Sequence, residues 1–166
     1  KDKYYIPKIK ELTPELEWEI QVNYSDNDTK KWITQKVKDN LMFMTDDNMK
    51  TNINRIKYIL NNKTARIKYL DKKDIEEFSF EKSNIIEYNS DEIVKGYELI
   101  ISDELRYILH NIEKNKYVIY KSIIYNEISD NWNQEDIFVG IIKNKSELKI
   151  LLIQLQIINK NYESKL

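Results

Sequence analysis

The residues able to do chemistry are few and scattered. His110 is the sole histidine and there is no cysteine. A hydrolytic triad needs a Ser or Cys nucleophile beside a base, and a metal site needs several convergent ligands. In Leu105-Arg-Tyr-Ile-Leu-His-Asn-Ile112 the imidazole alternates with Ile108 and Ile112 along one face of a strand. That is the place of a structural or solvent-facing histidine. Carboxylates cluster at Asp26/Asp28, Asp46/Asp47, Asp71/Asp74/Glu76/Glu77 and Asp130/Glu135/Asp136. Metal-dependent nucleases and glycosidases work with paired carboxylates, so a metal-dependent hydrolase is the weakest of the readings kept open. Asp26-Asn-Asp28 echoes the start of a calcium loop without its glycine at position six or its closing Glu. Asp71 and Asp74 have the spacing of a helix cap and its first-turn partner. With two glycines in the chain, no phosphate-cradling loop of the usual form can be built.

Cations and aromatic rings offer a second chemistry. Arg66, Lys68 and Tyr69 share one short strand, and Arg106 and Tyr107 another. Three of the 27 basic residues are arginine, so their positions carry information. Cations interleaved with rings on a sheet face can hold phosphates and stack bases, although the glycine–aromatic signature of the RRM is missing. Alternation sets Arg66 and Lys68 on one face and Ile67 and Tyr69 on the other, which also describes an ordinary half-exposed strand. Of the three tryptophans, Trp18, Trp32 and Trp132, Trp132 lies in the polar stretch Ser129-Asp-Asn-Trp-Asn-Gln134, read as a loop. An exposed loop Trp is a frequent interface anchor, and Trp132 is the first choice for a protein contact.

The elements that must position these groups follow from periodicity. Leu16, Trp18, Ile20 and Val22 alternate with Glu17, Glu19 and Gln21, the pattern of a strand with one buried face, and Lys31–Val37 suits a second strand. Thr45, Asp46 and Asp47 offer caps for a helix running to about Asn61, with Met49, Ile53, Ile56 and Leu60 at helical spacing. Asn61-Asn62-Lys63 ends it, since Asn tolerates the left-handed turn. A strand Ala65–Leu70 and a helix capped by Asp71 follow. Beyond Tyr97 the chain is strand-rich: Tyr97–Ile101, Leu105–Ile112, Tyr117–Ile128 and Ile137–Ile142, with Glu113–Lys116 as a tight hairpin turn. A helix capped by Ser146 closes the chain, its apolar face made by Leu148, Leu151, Leu152 and Leu155. Strands in runs with segregated helices predict an α+β fold, a largely antiparallel sheet with about three helices packed mainly on one face.

Composition bounds the rest. The 166 residues suit a single domain spanning 1–166, with a frayed tail from 160, burying roughly 70% of its unfolded surface. Net charge is −1, so no global field attracts nucleic acid or anionic lipid. The excess of Lys over Arg and the abundance of Ile, Asn and Tyr match AT-rich codons. No apolar run approaches the ~20 residues needed to span a bilayer, and no signal peptide is visible at Lys1-Asp-Lys-Tyr-Tyr-Ile-Pro7. A cytoplasmic protein of a low-GC bacterium or one of its phages is therefore expected.

Three blocks carry a resemblance: Tyr4-Tyr-Ile-Pro-Lys-Ile9, Ala65-Arg-Ile-Lys-Tyr-Leu-Asp-Lys-Lys-Asp-Ile-Glu76 and Gly140-Ile-Ile-Lys-Asn-Lys-Ser-Glu-Leu-Lys149. They resemble a family of short hypothetical proteins of gut Bacteroidota and their phages, including crAss-like phages. The chain departs from that pattern at Leu12-Thr-Pro-Glu-Leu-Glu-Trp-Glu19, where the family has Phe-His-x-Gly-Phe-Glu. The resemblance implies phage or mobile-element origin and no particular activity. The resulting expectation is a non-enzymatic interaction protein: a host-defence inhibitor, a modifier of host proteins, or a virion or assembly accessory. Its partner would be another protein, of host or phage, with self-association as a further option; no cofactor, metal or membrane is expected. The alternative is a nucleotide or nucleic-acid binder using Arg66, Lys68, Tyr69, Arg106 and Tyr107.

Overall fold

In the computed structural model, which describes residues 3–24, 29–39, 49–87, 90, 92–124 and 132–163, the first alternating run becomes strand β2 (Glu17–Tyr24). Its apolar side faces a core, and Trp18 keeps 1% of its surface exposed. β2 pairs antiparallel with β3 (Thr29–Lys36), Glu17 lying opposite Lys36 and Gln21 opposite Trp32. On its other edge β2 takes β4 (Ala65–Lys68), with Glu19 opposite Arg66. β4 in turn takes the two-residue β1 (Tyr4–Tyr5), with Tyr4 opposite Lys68. The order is β1-β4-β2-β3.

Helix α1 (Met49–Asn61) precedes β4 and packs Ile59 and Leu60 against Leu16, Trp18, Ala65 and Ile67. The helix stops where the Asn-Asn-Lys run predicts, but the left-handed residue is Lys63, at φ 56°. Asn62 is engaged otherwise, donating its side-chain amide to the Tyr58 carbonyl at 2.8 Å. The caps expected at Thr45, Asp46 and Asp47 lie outside the described residues.

These elements form one of two compact units, Lys1–Tyr69; the second is Leu70–Leu166. The second opens on α2 (Lys72–Glu77), held by the box that its spacing predicts. The Asp71 carboxylate accepts from the Asp74 N–H at 2.9 Å, and the Asp74 carboxylate accepts from the Asp71 N–H at 3.2 Å. Two amides otherwise orphaned at the helix start are thereby satisfied. An antiparallel meander follows in chain order: β5 (Glu81–Ile86), β6 (Ile93–Ile100), β7 (Leu105–Glu113), β8 (Lys116–Ile124) and β9 (Trp132–Ile141). The β7–β8 turn is the predicted one, with Glu113 opposite Lys116 and Asn115 in the left-handed region at φ 59°.

Period-two alternation gives this sheet two faces. Leu99, Tyr107, Leu109, Tyr117 and Ile119 pack beneath Ile75 and Phe78 of the α2 region and beneath α3 (Lys145–Gln154), which contributes Leu148 and Leu152. Ile85, Ile108, Val118 and Tyr120, with Val94, cluster on the opposite face. Gly96 belongs to that second face because Ile85 leaves no room for a side chain: a Cβ there would meet Ile85 Cδ1 at 2.6 Å.

The α+β class is as predicted, but the strands form two antiparallel sheets where one was expected. α2 and α3 share one face of the five-stranded sheet, and α1 belongs to the first unit. β5 was not anticipated, because Glu81-Lys-Ser-Asn84 has poor strand formers and no clean alternation. The final helix is capped by Asn144, not Ser146: the Asn144 side chain accepts from the Glu147 N–H at 2.9 Å, and the Glu147 carboxylate accepts from the Lys143 N–H at 2.6 Å. Asn144 precedes Glu147 by the three residues a reciprocal cap requires, which places Ser146 inside the first turn. Leu151 and Leu155 are half-buried, leaving Leu148 and Leu152 as the fully buried pair. Tyr162, in the stretch expected to fray, packs its ring 5.9 Å from Phe78 and donates its hydroxyl to the Glu77 carbonyl at 3.1 Å. No helix among the described residues is long and apolar enough to cross a membrane.

Candidate functional site

Arg66 is the centre of the most organised polar cluster. β4 lies between β1 and β2, so the face of β4 opposite α1 gathers residues from strands distant in sequence. The Arg66 Nε donates to the Glu19 carboxylate at 2.9 Å. The guanidinium carbon sits 3.7 Å from the Tyr4 ring centroid and 3.9 Å from that of Trp32. A planar cation held between two rings and a carboxylate has its charge answered on three sides. The arginine and glutamate side chains keep only 26% and 21% of their surface exposed, so the group is fixed and partly desolvated. Lys68 shares the face, opposite Tyr4. Nearby along the same unit, the Glu15 carboxyl is held below its ordinary range by hydrogen bonds from Lys38 first and Lys36 second, at 2.6 and 3.0 Å.

Of the residues expected to act together, Arg66 and Lys68 do share a face. Tyr69 does not: it is on the other side, its ring 4.7 Å from that of Tyr5. Arg106 and Tyr107 are likewise split by alternation. Tyr107 is buried under the helices of the second unit at 8% exposure, and Arg106 faces the other way, paired with Glu98 at 3.2 Å. Trp132 is not in a loop. Its backbone opens β9, opposite Ile124, because the polar run Trp132–Asp136 pairs with the end of β8, and Ile137, the extra residue opposite the Ile119–Tyr120 step, makes a bulge in β9 that absorbs the change of register. The Trp132 side chain lies outside the described residues.

Tyr4, Glu19 and Trp32 were missed by reading the sequence. A signal existed for two of them, since alternation sets Glu19 on the polar side of β2 and Trp32 beside Lys30 and Thr34 on β3. What joins them to Arg66 is strand order, which no local pattern encodes.

His110 is buried at 9% exposure, opposite Val118, and its Nδ1 has no hydrogen-bond partner among the described residues. Ser122, fully buried on the same face with its hydroxyl also unpartnered, lies opposite Arg106. Val118 and Ser122 are four positions apart along β8, roughly 13 Å of strand, so imidazole and hydroxyl form no nucleophile–base pair. Among the described residues Tyr120 is the phenol clustered on that face, and burial first, then the Asp136 carboxylate, pushes its hydroxyl up, so it keeps its proton. Tyr117 and Tyr97, pushed up chiefly by burial, pack on the opposite face. Among the carboxylates, Asp71 and Asp74 are consumed by the helix cap. Asp26, Asp28, Asp46, Asp47 and Asp130 lie outside the described residues, and among the described ones no three acidic or histidine side chains converge as a metal site. Compared with protein-family models, with curated proteins and with solved structures, the chain matches none.

Proposed function

We propose that this is a non-enzymatic interaction protein that binds another protein through the face of the four-stranded sheet opposite α1, centred on Trp32, Arg66 and Tyr4. The observation that carries the reading is the commitment of Arg66: its charge is already answered by Glu19 and by two rings. A phosphate contact would have to displace an internal carboxylate, whereas a protein surface gains from an arginine and aromatic rings held rigid before the partner arrives. Arg106, the other arginine considered for phosphate, is likewise paired with a carboxylate, that of Glu98. The resemblance to a phage-carried family supports a host or phage protein as partner, in the role of a defence inhibitor, a modifier of a host protein or a virion accessory.

The test compares the purified protein against labelled single-stranded DNA, RNA and nucleotides across a salt series, and against proteins captured from a bacterial host extract. Capture of one protein that persists as salt rises, and that is lost in Trp32→Ala while His110→Ala retains it, is the expected result. Nucleic-acid retention that falls steeply with salt and disappears in an Arg66→Ala/Lys68→Ala double variant would replace this reading with the phosphate-binding one.

A further inference from the structure

Strand β3 closes one side of the four-stranded sheet, and among the described residues no strand pairs with its outer edge. It runs for eight residues, without proline and in unbroken register with β2. The other sheet edges are less suited to a further strand. β1 is two residues long, β5 mixes Glu81 with Lys82, and β9 is bulged at Ile137. Alternate residues of an edge strand turn their backbone N–H and C=O outward, where an extended peptide can use them.

The side chains of β3 carry one sign of charge. Thr29–Lys36 holds Lys30, Lys31 and Lys36 and no carboxylate. The first unit as a whole has 14 Lys and Arg against 10 Asp and Glu in residues 1–69. Of the acids around the strand, Glu19 holds Arg66, Glu15 is shared between Lys36 and Lys38, Glu17 lies opposite Lys36 on β2, and Asp39 acts on Lys38. Asp26 and Asp28, ahead of β3 in the chain, lie outside the described residues. Lysines are an ordinary guard on an edge. They guard against neutral or basic strands, another β3 among them; a carboxylate opposite each one turns the same charges into cross-strand attraction.

We propose that β3 takes an extended acidic segment of the partner protein as an additional antiparallel strand, an inference that rests on the function proposed above and names the kind of partner. On the face shared with Arg66 the segment meets Lys30, Trp32, Thr34 and Lys36; on the other it meets Lys31, Ile33 and Gln35. Carboxylates belong opposite the three lysines. Apolar residues belong opposite Trp32 and Ile33, the latter 38% exposed. From the segment's N-terminus the pattern is one acid, two polar residues, two apolar residues and two acids. Backbone bonds and the covering of Trp32 and Ile33 carry the affinity, while the exposed charge pairs chiefly select the sequence.

The probe is a fluorescently labelled peptide, Glu-Thr-Thr-Val-Phe-Glu-Glu, titrated with the full chain to about 1 mM and read by anisotropy. Saturable binding is expected. Replacing its three glutamates by lysine should weaken binding at least about tenfold, and so should N-methylation of its edge-facing amides, which keeps every charge. Raising salt from about 50 to about 500 mM should cost less than about tenfold, well below the fall that a nucleic-acid contact shows. Lys30→Glu/Lys31→Glu, at exposed positions, should reverse the preference toward the lysine peptide. Absence of binding, equal affinity for the lysine peptide, indifference to N-methylation, or no reversal in the folded double variant would overturn the proposal and leave the lysines as a guard alone. Should the double variant not fold, the peptide series on the unaltered chain decides. The two readings fail separately: a host protein captured through Trp32 while the peptide does not bind would remove the added strand and keep the interaction face.

Discussion

At the scale of single residues, side chains that alternation assigns to a polar face can be either solvated or committed, and only their cross-strand neighbours decide which. Arg66 is a committed one. Its guanidinium gains from two rings and from Glu19, and only a flat group can do all three at once. Arg66→Lys keeps the charge but loses the stack and the Nε bond, so it should cost about 1 kcal/mol, and Arg66→Ala, which also leaves Glu19 without its partner, about 2 kcal/mol. Urea unfolding measures both; a lysine variant as stable as the wild type would mean that the rings contribute nothing. Nothing local could have foretold this, because Tyr4, Glu19, Trp32 and Arg66 reach one another only once β4 is inserted between β1 and β2. The alternation of Arg66 with Ile67 was legible; the identity of the neighbours was not. His110 tells a similar story. The sequence places it on a strand face, but its burial at 9% exposure depends on which face the helices leave uncovered and on what packs there, a property of tertiary structure.

At the scale of elements, legibility follows how local the determining contacts are. The Asp71–Asp74 box, the Glu113–Lys116 turn and the stop after Asn61 are set by contacts within four residues, and all three could be read. The start of α3 was misread by two residues because both Asn144 and Ser146 are good caps. Geometry chose Asn144, whose extended backbone at φ −145° and ψ 170° precedes the helix and whose side chain reaches the Glu147 N–H. Asn144 is 3% exposed, so water cannot replace the lost acceptor. Asn144→Ala should therefore cost about 1 kcal/mol or somewhat more, and Ser146→Ala less. The measurement is the thermal midpoint of each variant, and the reverse ranking would return the cap to Ser146. β5 was hidden for the opposite reason. Glu81, Lys82, Ser83 and Asn84 have little preference of their own for a strand, and what holds them is pairing with β6, Lys82 opposite Tyr97 and Ser83 opposite Gly96. The polar start of β9 is recruited by β8 in the same manner, which is why Trp132 read as a loop residue.

At the scale of the whole molecule, composition and pattern sufficed for the class but not for the partition. A count of strands cannot say how many sheets they make, and no Gly- or Pro-rich linker marks the passage from Tyr69 to Leu70, where the two units meet in sequence. The partition is written instead in the cores. The second unit buries Ile75, Phe78, Phe80, Leu109, Ile119, Ile142, Leu148 and Leu152 almost completely on one side of its sheet, with Ile85, Ile108 and Val118 on the other. Among the described residues, the buried core cluster of the first consists of Leu16, Trp18, Ala65 and Ile67, and chains of that size bury only about 60% of their unfolded surface. Its sheet also depends on bringing Glu19 to Arg66 across the whole of α1, a closure whose entropy must be met before the contacts reward it. The units should therefore differ in autonomy. A fragment of residues 70–166 should unfold cooperatively on heating, with a near-UV signal from its packed tyrosines. A fragment of residues 1–69 should melt at a lower temperature or lack a sharp transition. A non-cooperative 70–166 fragment that binds a hydrophobic dye would mean that its core is completed by the rest of the chain and that the division is not one of folding.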